Sequence, residues 1–94
     1  MEGPQDHEFS DEKCVVSTIR NGDKVQVQYI HNQESTKSSK RFFRIDGPDG
    51  NLLWEGELYP TQRLHLNQDI DAGEDYTLNI ANREAGTFQH PDFQ

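Results

Sequence analysis

The sequence predicts an all-β protein, a seven-stranded antiparallel β-sandwich, and three observations lead there. Short runs of alternating apolar and polar residues recur along the chain. Turn-forming residues interrupt them roughly every 8–12 positions, the spacing of sandwich strands. No stretch longer than one turn has the 3.6-residue period of a helix. The 94 residues make one domain of modest core: Leu, Ile, Val and Phe supply 20 of them, about 21%, just above the level at which charged chains fail to fold. No apolar run approaches the ~20 residues of a membrane-spanning helix, so the expectation is no membrane insertion.

Residues 1–13 hold one large apolar residue, Phe9, and five acids against one Lys, and are expected to be a flexible acidic tail because little apolar surface repays ordering. Cys14–Arg20 is rich in β-branched residues, and Asn21-Gly22 follows as a turn that tolerates positive φ. Lys24–His31 alternates, which predicts Val25, Val27 and Tyr29 on one face and Gln26 and Gln28 on the other. Asn32–Ser39 is polar and aperiodic, a loop. Lys40–Asp46 is a third strand, with one of Phe42 and Phe43 turned inward by parity, and Asp46–Asn51 is a turn. Leu52–Tyr59 is a fourth strand, with Leu52, Trp54 and Leu58 sharing one parity. Leu64 and Leu66 mark a fifth, Tyr76, Leu78 and Ile80 a sixth after the DAGED turn, and Thr87–Gln89 a seventh after a turn at Asn82–Gly86. Residues 14–90 are the sandwich and 91–94 a C-terminal tail.

A Gly-containing acidic turn followed by an inward Tyr76 is the sequence sign of a tyrosine corner, in which the hydroxyl bonds back to the turn. With Trp54 in a mid-domain strand, the Leu64/Leu66 pair and the AGEDYTLNI stretch of Ala72–Ile80, the chain resembles the immunoglobulin-like and fibronectin type III-like superfamily. FRIDGPDGNLLWEG is similar to the "FxIxxPDGxxxWxG" middle of small bacterial Ig-like modules. The cysteine pair of antibody domains is absent, and Trp54 stands one strand later than in them. The resemblance implies a fold and carries no activity.

Cysteine usage is minimal. Cys14 stands alone, so no intramolecular disulfide and no multi-cysteine zinc site can form. It reads as a small, partly buried apolar residue, its acidic neighbours Asp11 and Glu12 disfavouring a thiolate. The first fourteen residues lack a basic start and an apolar h-region, so no signal peptide is expected. The chain is then either cytoplasmic or a trimmed surface or secreted domain.

The net charge of -8 is unevenly placed: -4 over residues 1–13, +4 over 14–45 and -8 over 46–94. On a sandwich, alternate turns emerge at opposite ends. One pole should gather Asp23, Asp46, Asp49, Asp69, Asp71, Glu74 and Asp75, and the other Lys37, Lys40, Arg63 and Arg83 against Glu34 and Glu84. The acidic pole could offer calcium the six to eight oxygens it takes, with Asp46, Asp49, Asn51, Asp69, Asp71 and Asp75 as candidate ligands. Asp, Asn and Gly are also what turns prefer, and no EF-hand spacing is present.

Phe42 and Phe43 among Arg41 and Arg44 could stack bases, but a strongly acidic chain repels polyanions, so no nucleic-acid partner is expected. His7, His31, His65 and His90 have no close companions in sequence. No nucleophile elbow, H-E-x-x-H or Gly-rich phosphate loop occurs, and so short a sandwich fills its interior with side chains, so the chain is expected not to be an enzyme. The sequence therefore predicts a non-catalytic protein-interaction or adhesion module. Its partner surface is Asn32–Ser39 with Tyr59–Arg63 and Asn82–Gly86, carrying Glu34, Lys37, Lys40, Thr61, Arg63 and Arg83. A homodimer through an exposed edge strand is a further route. Two alternatives stand beside it. DGNLLWEGELYPTQRL is similar to the "G-x-x-x-W…TQ" stretch of intracellular proteinase inhibitors of sandwich fold, which implies a small protein inhibitor. The acidic pole would make a calcium-binding structural module.

Overall fold

The computed structural model describes residues 3–92. Eight strands form: β1 (Gln5–Phe9), β2 (Cys14–Asn21), β3 (Lys24–Asn32), β4 (Arg41–Asp46), β5 (Leu52–Leu58), β6 (Arg63–Ile70), β7 (Tyr76–Ile80) and β8 (Arg83–Phe88). They build two four-stranded sheets, ordered β1-β2-β3-β6 and β5-β4-β7-β8, with every pairing antiparallel. One apolar cluster joins the two sheets, with Val16, Val27 and Ile30 from the first and Phe43, Ile45, Leu58 and Leu78 from the second fully buried. The all-β sandwich is as the alternation predicted.

The flexible tail and the count of seven strands are corrected. Residues 5–9 are a strand paired along its whole length with β2, from Gln5 opposite Thr18 to Phe9 opposite Cys14. The reason lies in Asp6-His7-Glu8-Phe9, which alternates acid and ring. His7 and Phe9 turn inward onto Phe88, with ring centroids 5.4 and 6.5 Å away, and Asp6 and Glu8 remain exposed. Ser10–Glu12 forms one 3-10 turn, and Lys13 at φ 54° reverses the chain. Residues 1 and 2 of the expected tail, and 93 and 94 of the C-terminal one, lie outside the described residues.

Three β-bulges account for the other departures, because one extra residue reverses the parity beyond it. Gln28 is skipped between Val27 and Tyr29, so Ile30 and Asn32 face the core and Tyr29 turns outward beside His65. The expectation that Tyr29 shares a face with Val25 and Val27 therefore fails. Leu53 is the extra residue of β5, since Asp46 opposes Leu52 and Ile45 opposes Trp54. Leu53 packs against the core with Trp54, and Leu52, expected inward, is 48% exposed. In β8, Ala85 is skipped between Glu84 and Gly86. The last turn is Ala81-Asn82 alone, both at positive φ, 53° and 65°, the two-residue type I′ geometry that matches strand twist. The last strand thus runs Arg83–Phe88, where Asn82–Gly86 was expected to turn.

β2 is buried over five consecutive residues, Cys14–Thr18, because it lies inside its sheet between β1 and β3. Its outward Ser17 is satisfied by Gln28 Oε1 at 3.1 Å. In β5 the Trp54 ring lies over Gly56, where a Cβ would stand 2.8 Å from its Cζ2.

Candidate functional site

Antiparallel strands send alternate connections to opposite ends, so the turns sort into two poles. The β2–β3, β4–β5 and β6–β7 turns share one. A cleft of about 260 Å³ lies between the last two, lined by Asp49, Asn51, Asp69 and Asp71 with Leu52 and Tyr76. A second, of about 300 Å³, joins Asp23 and Lys24 to Asp69 and Asp71. Four of the six candidate calcium ligands thus come to one cleft.

The carboxylates of two of them, Asp49 and Asp69, are engaged with the protein. Asp49 accepts from the Asn51 backbone N–H at 3.1 Å and from Asn51 Nδ2 at 2.7 Å, and that backbone bond is the main reason its carboxyl lies below the usual range. Asp69 accepts from Gln26 Nε2 at 2.7 Å and faces Lys24 Nζ at 3.9 Å. Asp71 donates its backbone N–H to Tyr76 Oη at 2.8 Å. The remaining two are held elsewhere. Asp46 accepts from Arg44 Nε at 2.7 Å and Asn79 Nδ2 at 3.0 Å, and Asp75 accepts from Gln89 at 3.2 Å. Among the described residues no group of three or more His, Cys, Asp or Glu side chains could hold a metal ion.

The opposite pole carries the β3–β4, β5–β6 and β7–β8 connections and, through the added strand, the Ser10–Lys13 turn. One fully buried side chain binds it together. Asn32 donates through Nδ2 to the carbonyls of Leu58 at 3.2 Å and Tyr59 at 3.1 Å. Its Oδ1 accepts from the Glu34 backbone at 3.2 Å and Arg41 Nη1 at 3.3 Å. Its own N–H donates to the Gln62 carbonyl at 2.9 Å. Arg41 adds the second brace: its guanidinium lies over the Phe43 ring at 5.4 Å and 3.7 Å from both Glu12 and Glu34.

The six predicted partner residues divide around this hub. Glu34 is drawn into it, with Lys13 at 3.9 Å and Ser38 Oγ at 3.3 Å. Lys40 reaches Glu57 at 3.2 Å, which raises its pKa first through that hydrogen bond, and stands 5.6 Å from the Tyr59 ring. Lys37 and Thr61 are exposed at the pole, Thr61 at φ 67°. Arg83 is exposed at the start of β8. Arg63 leans away over the outer face of the first sheet, 4.3 Å above Tyr29. Tyr59, 64% exposed, is the large aromatic of the pole.

Sequence reasoning missed Asn32 and Arg41 as organising residues, because the bulge that turns Asn32 inward leaves no mark in composition. It also missed a buried chain in which Thr18 Oγ1 lies 2.8 Å from both His7 Nε2 and His90 Nδ1. Comparison with protein-family models, with curated proteins and with solved structures finds no match to this chain.

Proposed function

We propose that this chain is a non-catalytic immunoglobulin-like module that binds a protein partner through the Asn32 pole. The observation that carries the reading is Tyr59: a ring 64% exposed, beside Lys40, on a loop whose backbone is fixed by a buried side chain. Tyrosine is among the side chains that most often carry the energy of a protein interface, and a preformed loop loses little entropy on binding. The Ig-like part is supported by the strand order, which places β3 beside β6 and β4 beside β7 through crossovers between sheets, and by Tyr76 Oη bonded back to the β6–β7 turn.

The test is affinity capture with the full chain as bait, followed by direct titration of any captured protein. Tyr59→Ala with Lys40→Glu should weaken the complex at least tenfold, and Asp69→Asn with Asp71→Asn should leave it unchanged. Loss confined to the acidic-pole pair would overturn the assignment. Calcium at millimolar concentration should not raise the thermal midpoint, since the Asp49 and Asp69 carboxylates of the cleft bond within the fold. A rise would move the reading to the calcium module, because a ligand of the native state must stabilise it.

A further inference from the structure

The His7–Thr18–His90 chain ties three parts of the molecule together. Thr18 lies in β2 and is fully buried. His90, 1% exposed, follows β8 and is anchored by its backbone, whose carbonyl accepts from Gly73 N–H at 2.7 Å. His7 belongs to β1, none of whose residues is fully buried, although β2 beneath it is buried for five residues in succession. β1 is therefore a cover on the edge of a core strand, held by its ladder to β2, by Phe9 and by this chain. Covering an edge in this way protects it from pairing with other chains.

A threonine hydroxyl has one hydrogen to donate. Between two ring nitrogens it can donate to one and accept from the other, so one imidazole must present a bare nitrogen. When both rings are protonated, both point N–H groups at the same oxygen, the hydroxyl hydrogen has no acceptor between them, and two cations share a buried site. The groups that bear electrostatically on His7 are His90, which opposes its charge, and Asp6 on its own strand, which favours it. β2 contributes the neutral Thr18 hydroxyl and β8 the Phe88 ring.

We propose that β1 is an acid-released guard strand: the histidine–threonine–histidine clasp holds it on β2 while one ring nitrogen stays bare, and protonation of the clasp frees it. His90 is 1% exposed, whereas His7 sits on an edge strand that has no fully buried residue, so β1 is the part that leaves, and the sandwich of β2–β8 stays folded. Burial, then His90, lowers the pKa of His7 from 6.5. The released strand thus binds the proton more tightly than the docked one, and the clasp weakens as pH falls below about 6.5. The clasp shares no residue with the partner pole, so either can fail without the other.

The test is amide hydrogen exchange on the full chain at pH 7.5 and pH 5, read as protection factors so that the chemical rate divides out. Protection of β1 and of the β2 amides facing it should drop at acid pH, about tenfold for each unit by which docking lowers the histidine pKa, and that of β4 and β7 should hold. In His7→Gln the side-chain amide can still bond Thr18 and does not titrate, so β1 should stay protected at both pH values. Unchanged protection of β1 in the wild type overturns the proposal. So does an equal drop in His7→Gln, or a drop shared by β4 and β7.

Discussion

The two ends of the sandwich solve the same problem differently. At the acidic end the turns are held by separate bonds with no shared side chain: Asp49 folds back on Asn51, Tyr76 on Asp71, and Gln89, just past β8, reaches the Gly73 carbonyl at 2.8 Å. At the other end a single buried amide joins two separate connections, the β3–β4 segment and the β5–β6 loop. Turns held by separate bonds can vary one at a time, whereas a shared hub makes its loops rise or fall together. A surface meant to hold a fixed shape is better served by the second arrangement.

The hardest test of that contrast is Asn32→Ala. It strips the donors from two carbonyls and the acceptor from the Glu34 N–H and the Arg41 guanidinium, and at about 1–3 kcal/mol per orphaned group, partly relieved by water at this part-buried site, a loss of about 3 kcal/mol is expected. The urea midpoint should fall at unchanged slope, and exchange at residues 33–40 and 59–62 should quicken together. If only one of those segments responds, the pole has no common hub. Tyr76→Phe should cost less, about 1–2 kcal/mol for one unpaired N–H, and should loosen the β6–β7 turn alone.

Gly73→Ala probes the same turn from its backbone. Gly73 sits at φ +82°, and an added Cβ would meet the Asp92 carboxylate at 2.7 Å. A left-handed alanine costs about 1–2 kcal/mol, and the Asp92 side chain can swing aside, so the thermal midpoint should fall by a few degrees with the Asn32 pole unchanged. Asp49→Asn should have the smallest effect. The folded carboxyl lies below its ordinary 3.8, so its contribution is present above that pH and is lost as pH falls through the folded value. The two proteins should therefore differ in stability most at neutral pH and converge in acid. A gap that widens on acidification would refute the bond to Asn51.

Much of the sandwich was legible in the sequence. The alternation of Lys24–Val27, the turn beside Asn21 (formed by Gly22-Asp23, with Asn21 still paired to Lys24), the turn within Asp46–Asn51, and Tyr76 after its acidic turn all act locally, through periodicity and φ. The division of turns between two poles followed from strand count alone, and adding a strand before β2 left it intact. What was hidden depended on contacts distant in sequence. β1 looks too polar to order because His7 and Phe9 find their partner, Phe88, at the other end of the chain. The inward turn of Asn32 required the bulge at Gln28, and the same bulge removed Tyr29 from the core. Four of the six candidate calcium ligands could be read as neighbours, but the hydrogen bonds to the Asp49 and Asp69 carboxylates could not, because the folded geometry sets those bonds.

Cys14 gives the molecule a built-in clock. Its thiol is fully buried, and burial pushes its pKa up to about 12, so in the closed state it presents neither access nor thiolate to an alkylating reagent. It is the only cysteine in the chain and stands opposite Phe9 in the register of β1 and β2. Each alkylation event therefore records one excursion in which that corner came apart. Under conditions where reclosing outpaces the reagent, the labelling rate is the unfolded-thiol rate multiplied by the open fraction, so a mass spectrum taken over time reads the opening equilibrium without an added probe.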